Sequence, residues 1–163
     1  MPILCISTDA KRRALLQAVE FMADYTTDEL GERGEEISNV SDEQIDSVVQ
    51  EIRRLKKENA FAKTFSQALR TVIASPSSNV YLEPFEANIV RDGLNRFEDV
   101  EDNDVAQVYD IISEDNIKQI VLKTRTSWGS VDPSALAREL KRQVTDVLES
   151  NTAVRELLAD LER

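Results

Sequence analysis

A chain of 163 residues can bury a core within one domain, and 41% hydrophobic with 31% charged residues is a folded rather than a disordered balance. Thirty-one Asp and Glu against twenty Lys and Arg leave a net charge of -11, which repels a polyanion at long range. Local contact stays open, because salt screens charges beyond about 10 Å at 0.1 M.

Only four Gly and four Pro supply tight turns, so the composition reads as helical. The opening ILCI, residues 3–6, suits a short strand or extended lead-in. Ser7, Thr8 and Asp9 offer an N-cap, and Leu15, Val19 and Met22 recur at helical spacing to about Tyr25. Residues 26–40, with Gly31, Gly34 and several Glu, read as a flexible acidic loop. Ser41 followed by Asp42, Glu43 and Gln44 is a strong helix start, with acids where the helix dipole favours them. Apolar positions from Ile45 through Leu55, Phe65 and Leu69 to Val72 then keep helical phase, predicting one long helix over about 41–74. Asn59 interrupts that phase at a point where the helix could bend, and SPSSN, residues 75–79, ends it.

Pro84 suits a first helical turn, and Phe85, Ile89, Val90, Leu94 and Phe97 define a face. EDVEDND, residues 98–104, is an acidic break before a short helix around Val105–Ile112 and another around Ile117–Leu122. TSWGSVD, residues 126–132, forms a turn closed by Asp132 as N-cap with Pro133 behind it. Leu136, Leu140, Val144, Val147 and Leu148 mark the next helix, and Val154 to Leu161 the last, after a break at Asn151. The expected fold is an all-α bundle of six to seven helices in a single domain, 1–163, without an extended sheet or an internal repeat.

A single cysteine, Cys5, excludes an internal disulfide and fits a reducing cytosol, where it serves as a small buried apolar residue. With no signal peptide and no apolar run of membrane-spanning length, a soluble cytoplasmic protein is expected.

The absence of histidine removes every catalytic triad or metal site built on imidazole. No Gly-rich phosphate loop is present, because the four glycines never share a motif window. Asp99, Glu101, Asp102 and Asp104 could gather a hard cation, but the central Gly and terminal Glu of an EF-hand loop are missing. No enzyme, metal or cofactor is expected.

Against this acidic background, residues 53–70 carry six cations and one Glu. Lys56, Lys63 and Arg70 are spaced by seven and form one stripe with a rise of about 10.5 Å between neighbours, while Arg53, Arg54 and Lys57 point elsewhere on the same helix. A row of cations suits a phosphate backbone, whose contacts release counterions; the plainer alternative is a solvated face paired with carboxylates. Lys118, Lys123 and Arg125 form a second cluster and Arg138, Lys141 and Arg142 a third; the three could converge into one groove. Trp128 beside Arg125 could stack a base, although a lone tryptophan in a turn more often seals the edge of a core.

The stretch SSNVYLEPFEANIV, residues 77–90, resembles the C-terminal region of the large subunit of type I-D CRISPR effector complexes, a region also made separately as the small helical subunit. In that family a Ser-containing turn leads to Leu-x-Pro and an Ala-containing helix, matched here by Leu82, Pro84 and Ala87. The resemblance implies a non-catalytic subunit that touches guide–target duplex or displaced strand, neighbouring subunits and copies of itself. An alternative of a different class is an acidic protein–protein module, such as a phage-encoded inhibitor that mimics nucleic-acid charge. On that reading the carboxylates make the contacts.

Overall fold

The computed structural model describes residues 2–98, 114–149 and 151–162. Two short strands and six helices are present among them: β1 (Ile3–Cys5), α1 (Asp9–Glu36), α2 (Asp42–Thr71), β2 (Asn79–Tyr81), α3 (Pro84–Glu98), α4 (Glu114–Thr124), α5 (Pro133–Glu149) and α6 (Asn151–Leu161). The all-α expectation holds, with a two-stranded sheet as its one addition. The helix expected around Val105–Ile112 and most of the acidic break before it lie outside the described residues.

The core starts with an antiparallel pair, α1 against α2. Thr8 caps α1, its Oγ1 accepting from the Lys11 N–H at 3.2 Å. Leu15, Ala18, Val19, Met22 and Ala23 then bury a stripe at helical spacing, and Leu55, Ala62, Phe65 and Leu69 of α2 supply the facing stripe. Three polar links record the antiparallel register. Arg12 near the start of α1 donates to the Leu69 carbonyl near the end of α2 at 3.3 Å. Asn59 reaches Ala23 and Thr26 midway, and Arg33 near the end of α1 meets Glu51 early in α2.

α2 runs unbroken through Asn59. Its side chain is buried, and Nδ2 lies 3.0 Å from the Ala23 carbonyl and 2.9 Å from both Thr26 Oγ1 and Thr27 Oγ1. A carbonyl can only accept, so the amide nitrogen must face α1. The two threonine hydroxyls donate in turn to the Met22 and Ala23 carbonyls at 2.8 Å, so their oxygens are free to accept from the inserted amide and all of its acceptors lie on α1.

The flexible acidic loop expected over 26–40 is corrected: residues 26–36 continue α1, and only the short turn after Glu36 connects to α2. Two glycines weaken a helix by roughly 0.5–1 kcal/mol each. Tertiary contact offsets that. Thr26 is fully buried, and Arg33 pairs with Glu29, Glu36 and, across the helix pair, Glu51. The hydrogen bond to Glu36, followed by the charges of Glu51, Glu36 and Glu29, raises the Arg33 pKa despite some desolvation. A raised folded pKa means the pairing is present below the usual arginine range and lost only as pH climbs through it, so the guanidinium is charged throughout the working range.

Pro84 opens α3 as expected, with Ala87, Ile89, Val90 and Leu94 buried. Gly93 lets α3 approach α1 closely: a Cβ there would sit 2.5 Å from the Ala18 carbonyl oxygen. In the small sheet Ile3 pairs with Tyr81, Leu4 with Val80 and Cys5 with Asn79, so Leu4 and Ile6 face the core. The Cys5 N–H donates to Asp160 of α6 at 3.4 Å, which gives one strand N–H a partner outside the sheet. Cys5 itself is half-buried. Ala153, Val154, Leu157, Leu158 and Leu161 of α6 complete the core, against α1, α3 and β1. No described side chain of α4 or α5 belongs to this cluster; the two helices pack chiefly on each other.

Substituting Gly93 by Ala forces a methyl against backbone that cannot yield, and should cost about 1–3 kcal/mol. Gly31→Ala and Gly34→Ala meet open space and should each stabilise by roughly 0.5–1 kcal/mol. Asn59→Ala should cost about 1–3 kcal/mol through the hydrogen bonds it removes. Thermal unfolding followed by circular dichroism checks all three, at about 2–4 °C per kcal/mol for a chain of this size. If residues 26–36 were a loop, the Gly31 and Gly34 changes would give no gain.

Candidate nucleic-acid interface

The long helix α2 presents its cations on two sides. Lys56, Lys63, Arg70, Arg53, Arg54 and Lys57 are all exposed, as a face meant for contact requires. Lys63 and Arg70 share a shallow cleft with Glu20 and Ser66, and Asp115 at the start of α4 also lines it. On the other side Arg53, Arg54 and Lys57 line a cleft against Phe85 and Asp92 of α3. The Lys57 Nζ lies 3.9 Å from the centre of the Phe85 ring, a cation–π contact that spacing along α2 alone could not reveal.

Pairing separates these cations further. Arg70 is engaged: its Nη2 lies 2.9 Å from Glu20 Oε1, and Nε donates to the same oxygen at 3.3 Å. Arg54 is engaged as well, at 3.1 Å from Glu58 and 3.6 Å from Glu51, one turn away on either side. Arg53, Lys56 and Lys63 have no carboxylate within 4 Å among the described residues. The stripe is therefore two open cations and one paired one.

The second cluster lies on α4 and the turn after it. Asn116 donates from Nδ2 to Gln17 and Glu20 of α1 at 3.3 and 3.4 Å, which seats the start of α4 beside Arg70's own partner. Further along α4 and just past it lie Lys118, Lys123 and Arg125, all three exposed and without an ion pair among the described residues. The structure thus brings the start of α4, though none of the cluster's own cations, next to the Lys63–Arg70 cleft. The third cluster is on α5. Arg138 is exposed, Arg142 pairs with Glu139 at 3.1 Å, and the Lys141 side chain lies outside the described residues. Nothing described joins these three to the α2 cations in one groove.

The turn before α5 forms as its residues dictate. Asp132 Oδ1 accepts from the Ser134 and Ala135 N–H groups at 2.9 and 3.4 Å, with Pro133 at the first helical position. Trp128 corrects an expectation: it is 92% exposed and seals no core edge.

Charge is partitioned sharply. Residues 53–70 hold six cations against Glu58, and residues 116–142 hold six against Asp132 and Glu139, a surplus of nine; the rest of the chain therefore carries -20. Among the described residues no group of three Cys, Asp or Glu side chains could hold a metal ion, and the acidic candidates Asp99, Glu101, Asp102 and Asp104 lie outside them. No described helix is long and apolar enough to cross a membrane. No family model, no curated protein and no solved structure matches this chain.

Proposed function

We propose that the protein is a non-catalytic assembly subunit that touches nucleic-acid backbone through open cations without reading sequence. One observation carries this reading. In a chain with 31 carboxylates, Arg53, Lys56 and Lys63 stand exposed on one helix with no carboxylate in pairing distance among the described residues. Cations left open on so acidic a surface suit an external anion, and a phosphate backbone offers anions at regular intervals. The resemblance of residues 77–90 extends the proposal to the small subunit of a type I-D CRISPR effector complex, with guide RNA, target strand, neighbouring subunits and further copies of the chain as partners in the cytoplasm. No cofactor enters this reading.

The test is a salt series of duplex and single-strand binding, read by fluorescence anisotropy, for wild type and for Arg53→Ala/Lys56→Ala/Lys63→Ala. Three lost phosphate contacts should flatten the slope of log affinity against log salt by about 2.7 on duplex or about 2.1 on single strands. The loss should be equal for unrelated sequences, because phosphates carry no base information. Arg54→Ala removes a cation already paired with two glutamates and should leave the slope near wild type. If the triple variant keeps wild-type affinity and slope, α2 is a solvated face and the carboxylates become the contact surface, as in a nucleic-acid mimic.

A further inference from the structure

Trp128 is the chain's only tryptophan, and at 92% exposure it is the most exposed large apolar side chain among the described residues. Its position is built. Arg125 and Val131 form an antiparallel bridge, the Thr126 N–H donates to the Ser130 carbonyl at 2.8 Å, and the Gly129 N–H donates to the Thr126 carbonyl at 3.0 Å. Gly129 holds a φ of +79°, a left-handed conformation that favours glycine. The indole therefore stands in a closed turn between Ser127 and Gly129, almost wholly open to solvent.

We infer that this turn is a stacking site for an unpaired base of single-stranded nucleic acid, with Trp128 taking the base and Lys123 and Arg125 taking the flanking phosphates. The inference rests on the proposed function and adds a second site with a ligand class to it. Charge complementarity selects the ligand: Lys123 and Arg125 are exposed, unpaired among the described residues, and lie in a stretch with a surplus of four cations in a chain of net charge -11. Geometry selects the strand state. Bases in a duplex stack on each other, so a lone ring finds a free base face only where the strand is unpaired. Ring stacking with adjacent cations tolerates any sequence, consistent with a contact that reads none.

Because no other tryptophan is present, indole emission reports this one site. The experiment titrates the purified chain with a short oligothymidylate and with an abasic strand of equal length, following indole emission and anisotropy together. Oligothymidylate should quench the emission and the abasic strand should not. Trp128→Ala should weaken oligothymidylate binding about 5- to 150-fold, with the salt slope unchanged because no phosphate contact is removed. Lys123→Ala/Arg125→Ala should instead lower that slope by about 1.4. Binding without quenching, with Trp128→Ala as tight as wild type, overturns the stacking site and leaves the α2 reading standing. Equal quenching by the abasic strand overturns it too, since the ring then senses only backbone. A blue shift that grows with chain concentration in the absence of nucleic acid places the indole between copies of the chain and replaces the inference with a protein contact. Failure of wild type to bind either strand or duplex overturns the stacking site and the proposed function together.

Discussion

The antiparallel register of α1 and α2 is the constraint on which the rest of the molecule depends. Two helices of 28 and 30 residues could slide past one another by a turn with modest loss of apolar contact, because Ala, Leu and Val recur along both. The Asn59 amide removes that freedom. Its nitrogen needs oxygen acceptors in a buried place, and on α1 the Ala23 carbonyl with the Thr26 and Thr27 hydroxyls supplies them at one height. A slip of one turn would bury the amide against apolar side chains, and an unsatisfied buried polar group costs about 1–3 kcal/mol. The Arg33–Glu51 and Arg12–Leu69 links agree with the same register at the two ends of the pair. With α1 fixed, Ala18 presents its carbonyl to Gly93 and so sets where α3 can lie; α6 then packs on α1 and α3.

How much of this was legible depends on whether the determinant is local. The start of α2 at Asp42, Pro84 at the head of α3 and Asp132 before Pro133 are short-range devices, readable because cap and dipole act within one turn. Even there Ser41 occupies the cap position without using its hydroxyl. The continuation of α1 through residues 26–36 was not readable. Gly31, Gly34 and the clustered acids argue against helix locally, and the compensating partners, Asn59 for Thr26 and Glu51 for Arg33, are separated from them by 33 and 18 positions in the chain. Polarity is a poor guide when a buried threonine and a triply paired arginine stand in the same stretch.

The candidate site divides along the same line. A seven-residue spacing correctly put Lys56, Lys63 and Arg70 in the open, since exposure follows from helical phase. Which of them stays unpaired does not follow from phase. Arg70 finds Glu20 at a separation of 50 residues, and only the α1–α2 register brings them together. Trp128 departs from the expected burial for a related reason: burial of a turn residue requires a neighbouring surface, and neither α4 nor α5 contributes a described side chain to the core cluster that could have received it.

Magnitudes explain why an acidic chain can still offer cationic contacts. Two unit charges 10 Å apart in water interact by only about 0.4 kcal/mol before screening, and at 0.1 M salt the Debye length is itself about 10 Å. The -20 carried outside the two basic stretches would therefore be weakened at the distance of a strand held, as proposed, on α2 or at the α4–α5 turn. At short range the balance reverses, since each open cation that meets a phosphate releases a counterion. Under the proposed function, carboxylates elsewhere in the chain would disfavour other approaches of a polyanion without adding to its affinity at the two basic stretches. On the same proposal, the excess acid and the concentrated base would then act together in orientation: the first disfavours wrong poses, and the second holds the permitted one.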